Sequence, residues 1–507
     1  MRGMSSTAEI EAPAPAATGR TPWYRRITTI LLAGWCAGWA LYLYTMLGQR
    51  YGCPRGQETC DRAPAVAHSW LWGLAGAIVL AALCLLEARR PAVESPASPE
   101  SRPRYRWLIL GGIGGAVLGA NLILLGPMAD NPFCAEPIHV NKVMAYPLNC
   151  DSYEFMRLAH EPGHVLDHHN PRQSRPGYVA LSAAAERTVG PVAHWVGLDR
   201  LYKMKDRAQF PLVVINLAAT AAAIALMASQ LAGLGTPRPA NAALCAFLAI
   251  NGVTTAFTWT PHQQTFALLV PAATILAGRY LLLRRSPWWA VTLVGLAAGG
   301  ASLVYGSFLI TAAVAGLILL YQRRWIPLVG FLAGFGAPQV AWMALCKVVS
   351  GDYFNQETRL YDEFIWLPKA AKHGVDSLRI ATHDMTITAG RAVFAICTVA
   401  LLLIVGLAAV AVLLRVKLPV LTDSQRATVV AAGLTAAAGI VFAWAIGIVN
   451  ADRLLYHAVP ALLVLAGWIT ARIAASSKMA GRLVTAGVVV LAAAVLTNDI
   501  ITPGPYS

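Results

Sequence analysis

Residues 210–231 read FPLVVINLAATAAAIALMASQL, a run of 22 without one charged side chain. About 20 apolar residues carry a helix across roughly 30 Å of hydrocarbon, so this run is long enough to span a bilayer. Comparable runs occupy 27–47, 70–86, 107–125, 240–257, 265–283, 290–304, 308–320, 327–345, 392–414, 429–448, 454–473 and 483–496. Together they predict about thirteen transmembrane helices. Gly299, Gly300 and Gly306 interrupt one stretch, so 290–304 and 308–320 read either as one bent hairpin or as two short spans. Composition agrees. Of 507 residues, 57% are hydrophobic and 13% charged, about half the charge that a soluble domain uses to solvate its surface. The fold class expected is an all-α polytopic membrane protein with a large, partly helical extracytoplasmic loop. Backbone groups inside lipid must pair within the helices themselves.

The net charge of +15 follows from topology rather than from nucleic-acid binding, which is excluded as a function. Arg25, Arg26, Arg89, Arg90, Arg102, Arg104 and Arg106 flank the first spans. Arg284, Arg285, Arg323, Arg324, Arg415, Lys417, Arg472, Lys478 and Arg482 fall on the same side if thirteen spans alternate. This positive-inside pattern places the N-terminus in the cytoplasm and the C-terminus outside, as in a multi-pass protein of a bacterial inner (plasma) membrane. The expected organisation is a disordered cytoplasmic tail at 1–26 and an N-terminal transmembrane hairpin with a basic linker at 27–106. A transmembrane core at 107–497 and an extracytoplasmic tail at 498–507 follow. The first apolar stretch is too long for a cleaved signal peptide and lacks a cleavage site, so it reads as an anchor. Cys36, Cys84, Cys245, Cys346 and Cys397 lie in or at spans and read as packing residues. Cys53 with Cys60, and Cys134 with Cys150, lie in outer loops, either as two disulfides or as four free thiols.

Two outer loops are long, 126–209 and 348–384, and neither is low in complexity. Loops of that length are usually functional or disordered. Within the first, Asn149-Cys150-Asp151-Ser152-Tyr153-Glu154 follows a proline-containing extended piece and opens a helical run. Asp151 fits a helix cap with Glu154 three residues on, and it equally fits a general base near the bilayer surface. A Cys134–Cys150 bridge would brace it. His160-Glu161-Pro162-Gly163-His164 matches HExxH, but Pro162-Gly163 breaks the helix that would put both histidines on one face. His168 and His169 are candidate ligands of a divalent cation, and solvated loop histidines are the plainer reading. The loop is basic, with Lys142, Arg157, Arg172, Arg175, Arg187, Arg200, Lys203, Lys205 and Arg207, which suits an anionic lipid.

Three places resemble the GT-C glycosyltransferases, multispanning enzymes that use polyprenyl-phosphate-linked sugars. The first is the acidic residue followed by an aromatic and a short helix, from Asp151 to Ala159. The second is Arg175-Pro176-Gly177-Tyr178. The third is Asn450-Ala451-Asp452-Arg453-Leu454-Leu455-Tyr456-His457-Ala458-Val459-Pro460 at the entrance to a late span. The order of elements covers roughly residues 107–496 and looks most like the lipid A aminoarabinose and protein-mannosyl branches. The chain departs from the pattern where Ser152 stands in place of a second acid, and in its N-terminal hairpin.

The resemblance implies transfer of a sugar from a polyprenyl-phosphate donor to a hydroxyl of a glycan, glycolipid or protein on the periplasmic face, in cell-envelope assembly. Asp151 would be the base. Arg175, Lys203, Lys205 and Arg453 would contact phosphate. Tyr153, Glu154, Tyr178, His262 and Tyr456 would line the substrate site. The resemblance fixes no cofactor and leaves a divalent cation open. Competing readings are a transporter or flippase of an anionic lipid-linked substrate, and an O-antigen-ligase-like enzyme. Spans almost free of acids and the absence of an internal repeat speak against the transporter. The ligase would carry its main loop late in the chain.

Overall fold

The computed structural model describes residues 105–124, 135–141, 144–416, 421–447 and 454–501. The expected spans at 27–47 and 70–86, the N-terminal tail, the pair Cys53–Cys60, Cys134 and Arg453 lie outside these residues. Helix α1 (Tyr105–Leu124) precedes a hairpin of β1 (Ala135–His139) and β2 (Ala145–Asn149). Then come α2 (Asp151–His160), a 3-10 turn at Pro162–Leu166, α3 (Pro176–Val196) and α4 (Leu198–Leu201). The bundle continues with α5 (Gln209–Gly233), α6 (Arg238–Ala249), α7 (Gly252–Phe257), α8 (Phe266–Leu283), α9 (Trp288–Val304), α10 (Leu309–Tyr321) and α11 (Trp325–Ser350). It ends with α12 (Gln356–Tyr361), α13 (Trp366–Lys372), α14 (Val375–Leu413), α15 (Asp423–Ile446), α16 (Val459–Ser476) and α17 (Lys478–Ile501).

Among the described residues, eight helices are long and apolar enough to cross a membrane. Three more apolar helices, Leu108–Leu124, Trp288–Val304 and Gly306–Tyr321, are shorter and stand where spans are expected. The interrupted stretch is thus two helices, separated at Tyr305 by a 3-10 turn. Gly295 and Gly299 do not weaken α9. They lie against Phe331 and Phe335 of α11, where a Cβ would strike the partner's carbonyl oxygen, and Gly334 approaches Thr292 from the other side. These small residues let two backbones touch, as at membrane helix crossings. The bundle has an inside and an outside. The span Leu455–Ser476 is 67% buried, whereas Trp325–Ser350 is 11% buried. Ile326, Val329, Val340 and Val348 lie exposed on α11, an apolar face larger than water tolerates.

One expectation needs correction. The class is not purely helical, because β1 and β2 pair antiparallel from Ala135 with Asn149 to His139 with Ala145. Pro137 faces Pro147 in that register, which a two-stranded ribbon accepts because each strand has a free edge. The second long segment, 348–384, is largely helical. It holds α12 and α13, and α14 begins inside it and runs unbroken for 39 residues, about 58 Å at 1.5 Å per residue.

Candidate functional site

The hairpin ends at the site. Strand β2 delivers Asn149, whose Oδ1 accepts the Asp151 backbone N–H at 2.9 Å. That bond occupies the first N–H of α2; Cys150 is the N-cap residue, without a capping side-chain bond, and Asp151 enters as the first helical residue rather than as the cap. Its carboxylate is thereby free for other partners. Acidic Asp151 and Glu154 in the first turn, with Arg157 and His160 in the last, match the helix dipole. The apolar face, with Phe155, Leu158 and Ala159, is buried. Helix α3 packs against it, and Tyr178 meets the Phe155 ring edge-on at 4.8 Å. Gly177 permits a close approach, since a Cβ there would come within 2.9 Å of the backbone at Leu303 and Val304.

Asp151 Oδ1 lies 2.5 Å from Arg172 Nη2. Arg172 is 6% exposed, and its guanidinium sits 4.8 Å from the Phe155 ring centre. His262 Nε2 lies 3.6 Å from Asp151 Oδ2, an electrostatic contact slightly long for a hydrogen bond. The backbone N–H of Gln264 donates to His262 Nδ1 at 3.1 Å. A neutral His262 must therefore carry its proton on Nε2, facing Asp151. Burial works to raise the Asp151 pKa, but His262 and Arg172 outweigh it and hold the carboxyl well below the usual carboxylate range. The carboxylate stays ionised and about a third exposed.

His262 is positioned by an unusual residue of α5. Asn216, buried in that apolar helix, donates its amide to the carbonyls of Phe257, Thr258 and Thr260 and accepts from Thr265 Oγ1. One side chain thus ties three carbonyls and one hydroxyl of the turn between α7 and α8 to α5. Thr260 Oγ1 donates to Pro147 O at 2.5 Å, tying the same turn to β2. Both partners of the Asp151–His262 contact hang on β2.

The site opens into a cavity of about 590 Å³, lined in part by Asp151, Glu154, Arg157, His168, His169 and Arg172. Glu154 is engaged by Arg157 at 2.7 and 3.1 Å and by Asn170 at 3.3 Å. Several expected residues stand elsewhere. Tyr153 donates to Glu136 on β1 at 2.6 Å, and that bond raises its phenol pKa to about 12. Lys205 pairs with Glu136 at 2.9 Å, and Lys203 donates to His139 O. Neither lysine lines the Asp151 cavity. Tyr178 is fully buried beneath Phe155, a packing residue rather than a pocket wall. Arg175 is held by Glu357 of α12. Tyr456 packs with Val253 and Phe257, and the Phe257 ring lies 5.0 Å from that of His262, so Tyr456 stands one layer behind the site. Cys150 is disulfide-bonded, next to Asp151.

Arg172 is the side chain that sequence reasoning left unselected, one of nine loop cations with no signal to rank it. The histidine motif resolves as expected, for α2 ends at His160. His160 turns to Asp206 at 2.7 Å, and His164 to Glu161 and Asp167. Among the described residues no three His, Cys, Asp or Glu side chains stand close enough to hold a metal ion, and Asp151 already faces a guanidinium.

No family model and no curated protein matches this chain. Among solved structures, the Archaeoglobus fulgidus oligosaccharyltransferase, in complex with zinc and sulfate, superposes with a TM-score of 0.40 at 13% identity. The match covers 78% of this chain and 53% of that one, so this chain spans about half the length of the structure it matches. A superposition this loose assigns neither a fold family nor a chemistry.

Proposed function

We propose that this protein is a membrane glycosyltransferase of the GT-C kind, moving a sugar from a polyprenyl-phosphate donor to an acceptor hydroxyl at the outer face of the membrane. The observation that carries the reading is an ionised Asp151, aimed by His262 and set beside Arg172 at the mouth of an open cavity of mixed charge. In the step envisaged, the acceptor oxygen attacks the anomeric carbon as the bond from that carbon to the phosphate oxygen breaks. The electron pair leaves with the lipid phosphate, and the hydroxyl proton passes to Asp151. A lipid phosphate is a good leaving group, so the protein mainly orients the reactants and neutralises charge. A resting carboxylate this acidic is a weak base, and its first task is to accept the hydroxyl's hydrogen bond and fix its direction.

The test is transfer of radiolabelled sugar from a polyprenyl-phosphate donor by the purified full chain, beside Asp151→Asn. The expected result is loss of about 10²–10⁴-fold in the variant, the range for removing a positioned base. Undiminished transfer by Asp151→Asn would sink the assignment. Failure with every donor, combined with uptake of a lipid-linked anion into liposomes, would favour a transporter.

A further inference from the structure

We propose that Arg172 cages Asp151 in the resting site and releases it only when a phosphate oxyanion takes the guanidinium, so that the donor switches on its own base. The inference rests on the glycosyl-transfer reading for its biological meaning, but its chemistry is that of phosphate binding alone. Arg172 is 6% exposed and gives one nitrogen to Asp151 at 2.5 Å. Its Nε is buried without any hydrogen-bond partner. A guanidinium so desolvated, with a donor unspent, is an unusual resting state. The Phe155 ring beneath it fixes its plane, and it lines the same cavity as Asp151.

A phosphate can take Nε and a terminal nitrogen together, in the two-pronged geometry for which Arg is suited. A carboxylate bound through one oxygen competes poorly with that. Asp151, about a third exposed, can give up the contact and stay solvated. The charges around the carboxylate permit the exchange. On its own helix Glu154 is held by Arg157 and Asn170. From the 258–265 turn comes His262. Asp167, His168 and His169 line the cavity wall. Once Arg172 is drawn away, the carboxylate loses its strongest full positive charge, and the arriving phosphate adds a negative one. Both changes make Asp151 a better proton acceptor.

The experiment uses the full chain in detergent micelles with carboxyl-¹³C aspartate, the Asp151 signal being assigned by its loss in Asp151→Asn. The pH titration of that signal is recorded alone, with farnesyl phosphate, with inorganic phosphate and with farnesol. Alone, the signal should remain that of a carboxylate to the lowest pH at which the protein stays folded. Farnesyl phosphate should raise the midpoint by at least about one pH unit, and farnesol should not. A rise with inorganic phosphate at equal concentration would make free phosphate a sufficient ligand, and a rise with the lipid alone would make the lipid the source. Arg172→Gln should show the raised midpoint without any probe, with at least about tenfold weaker farnesyl phosphate binding. Arg172→Lys keeps the charge and should still cage.

Binding of farnesyl phosphate without movement of the midpoint would overturn the proposal. So would a further rise of the same size when farnesyl phosphate is added to Arg172→Gln, or failure of both phosphates to bind wild type. The readout needs no sugar. Absent transfer with the exchange intact therefore counts against the glycosyl-transfer reading alone.

Discussion

Replacing Asp151 with Asn does two things at once, because Arg172 then keeps its charge without a counter-charge. A fully buried pair broken on one side costs about 3–5 kcal/mol. Asp151 reaches solvent, so the expected cost is well below that range, visible as a modest drop in thermal midpoint. The sign with pH follows from the low folded-state pKa. Ionised Asp151 stabilises the fold above its ordinary value of 3.8, and that contribution is lost as pH falls through the depressed value. The gap in thermal midpoint between wild type and Asp151→Asn should narrow below about pH 4. His262→Ala separates aim from charge. Arg172 still holds the carboxylate, but its direction is lost, so kcat should fall about 10²-fold with KM nearly unchanged. A raised KM with kcat unchanged would mean that His262 binds substrate instead. Asp151 was legible in the sequence as a candidate because it follows a proline-containing extended piece and opens a helical run, and His262 because it follows Pro261 in a short turn between apolar runs. Arg172 was not, since the distance from its guanidinium to Asp151 depends on how residues 161–175 fold back over α2, which no spacing encodes.

Helix packing gives a sharper test from two neighbouring glycines. A Cβ at Gly299 runs into the Phe335 carbonyl, whereas one at Gly300 meets nothing within 4 Å. Gly299→Ala should therefore force α9 off α11 and cost about 1–3 kcal/mol. Gly300→Ala should be neutral or stabilising by up to about 1 kcal/mol, because alanine is the better helix former. Equal effects in thermal unfolding would refute the interlocked backbones. In the sequence both glycines read as interruptions, because a linear scan sees apolar length and not the surface a residue faces. The hairpin was hidden for a related reason. Pro137 and Pro147 argue against strands unless a free edge is available on each, and only the three-dimensional register supplies it. Among the described residues, element type was legible wherever an apolar run exceeded about 18 residues. The extent of α14 was not, since its polar first half looks like loop.

At the scale of the whole molecule, the two long segments 126–209 and 348–384 meet, though 181 to 183 positions separate their contacts, and Trp342 of α11 joins them. Arg175 pairs with Glu357, and Ser174 donates to the same carboxylate at 3.1 Å. Phe354 N–H donates to Gln173 Oε1 at 2.8 Å, and Trp342 donates to Gln173 O at 2.7 Å. Gln356, the first residue of α12, lines the Asp151 cavity. One wall of the candidate site is therefore held in place from across the chain. The Arg175–Glu357 pair is mostly buried on both sides, so its coupling should exceed that of a surface pair and reach about 1–3 kcal/mol in a double-mutant cycle. Glu357→Gln should speed amide hydrogen exchange in α12 and α13, leave exchange in α5 and α8 unchanged, and lower transfer by loosening the cavity wall. The charge-reversed pair Arg175→Glu with Glu357→Arg should restore part of the protection. If α12 exchanges at the wild-type rate in Glu357→Gln, the latch lies in the Gln173 contacts instead, and Gln173→Ala should then carry the effect.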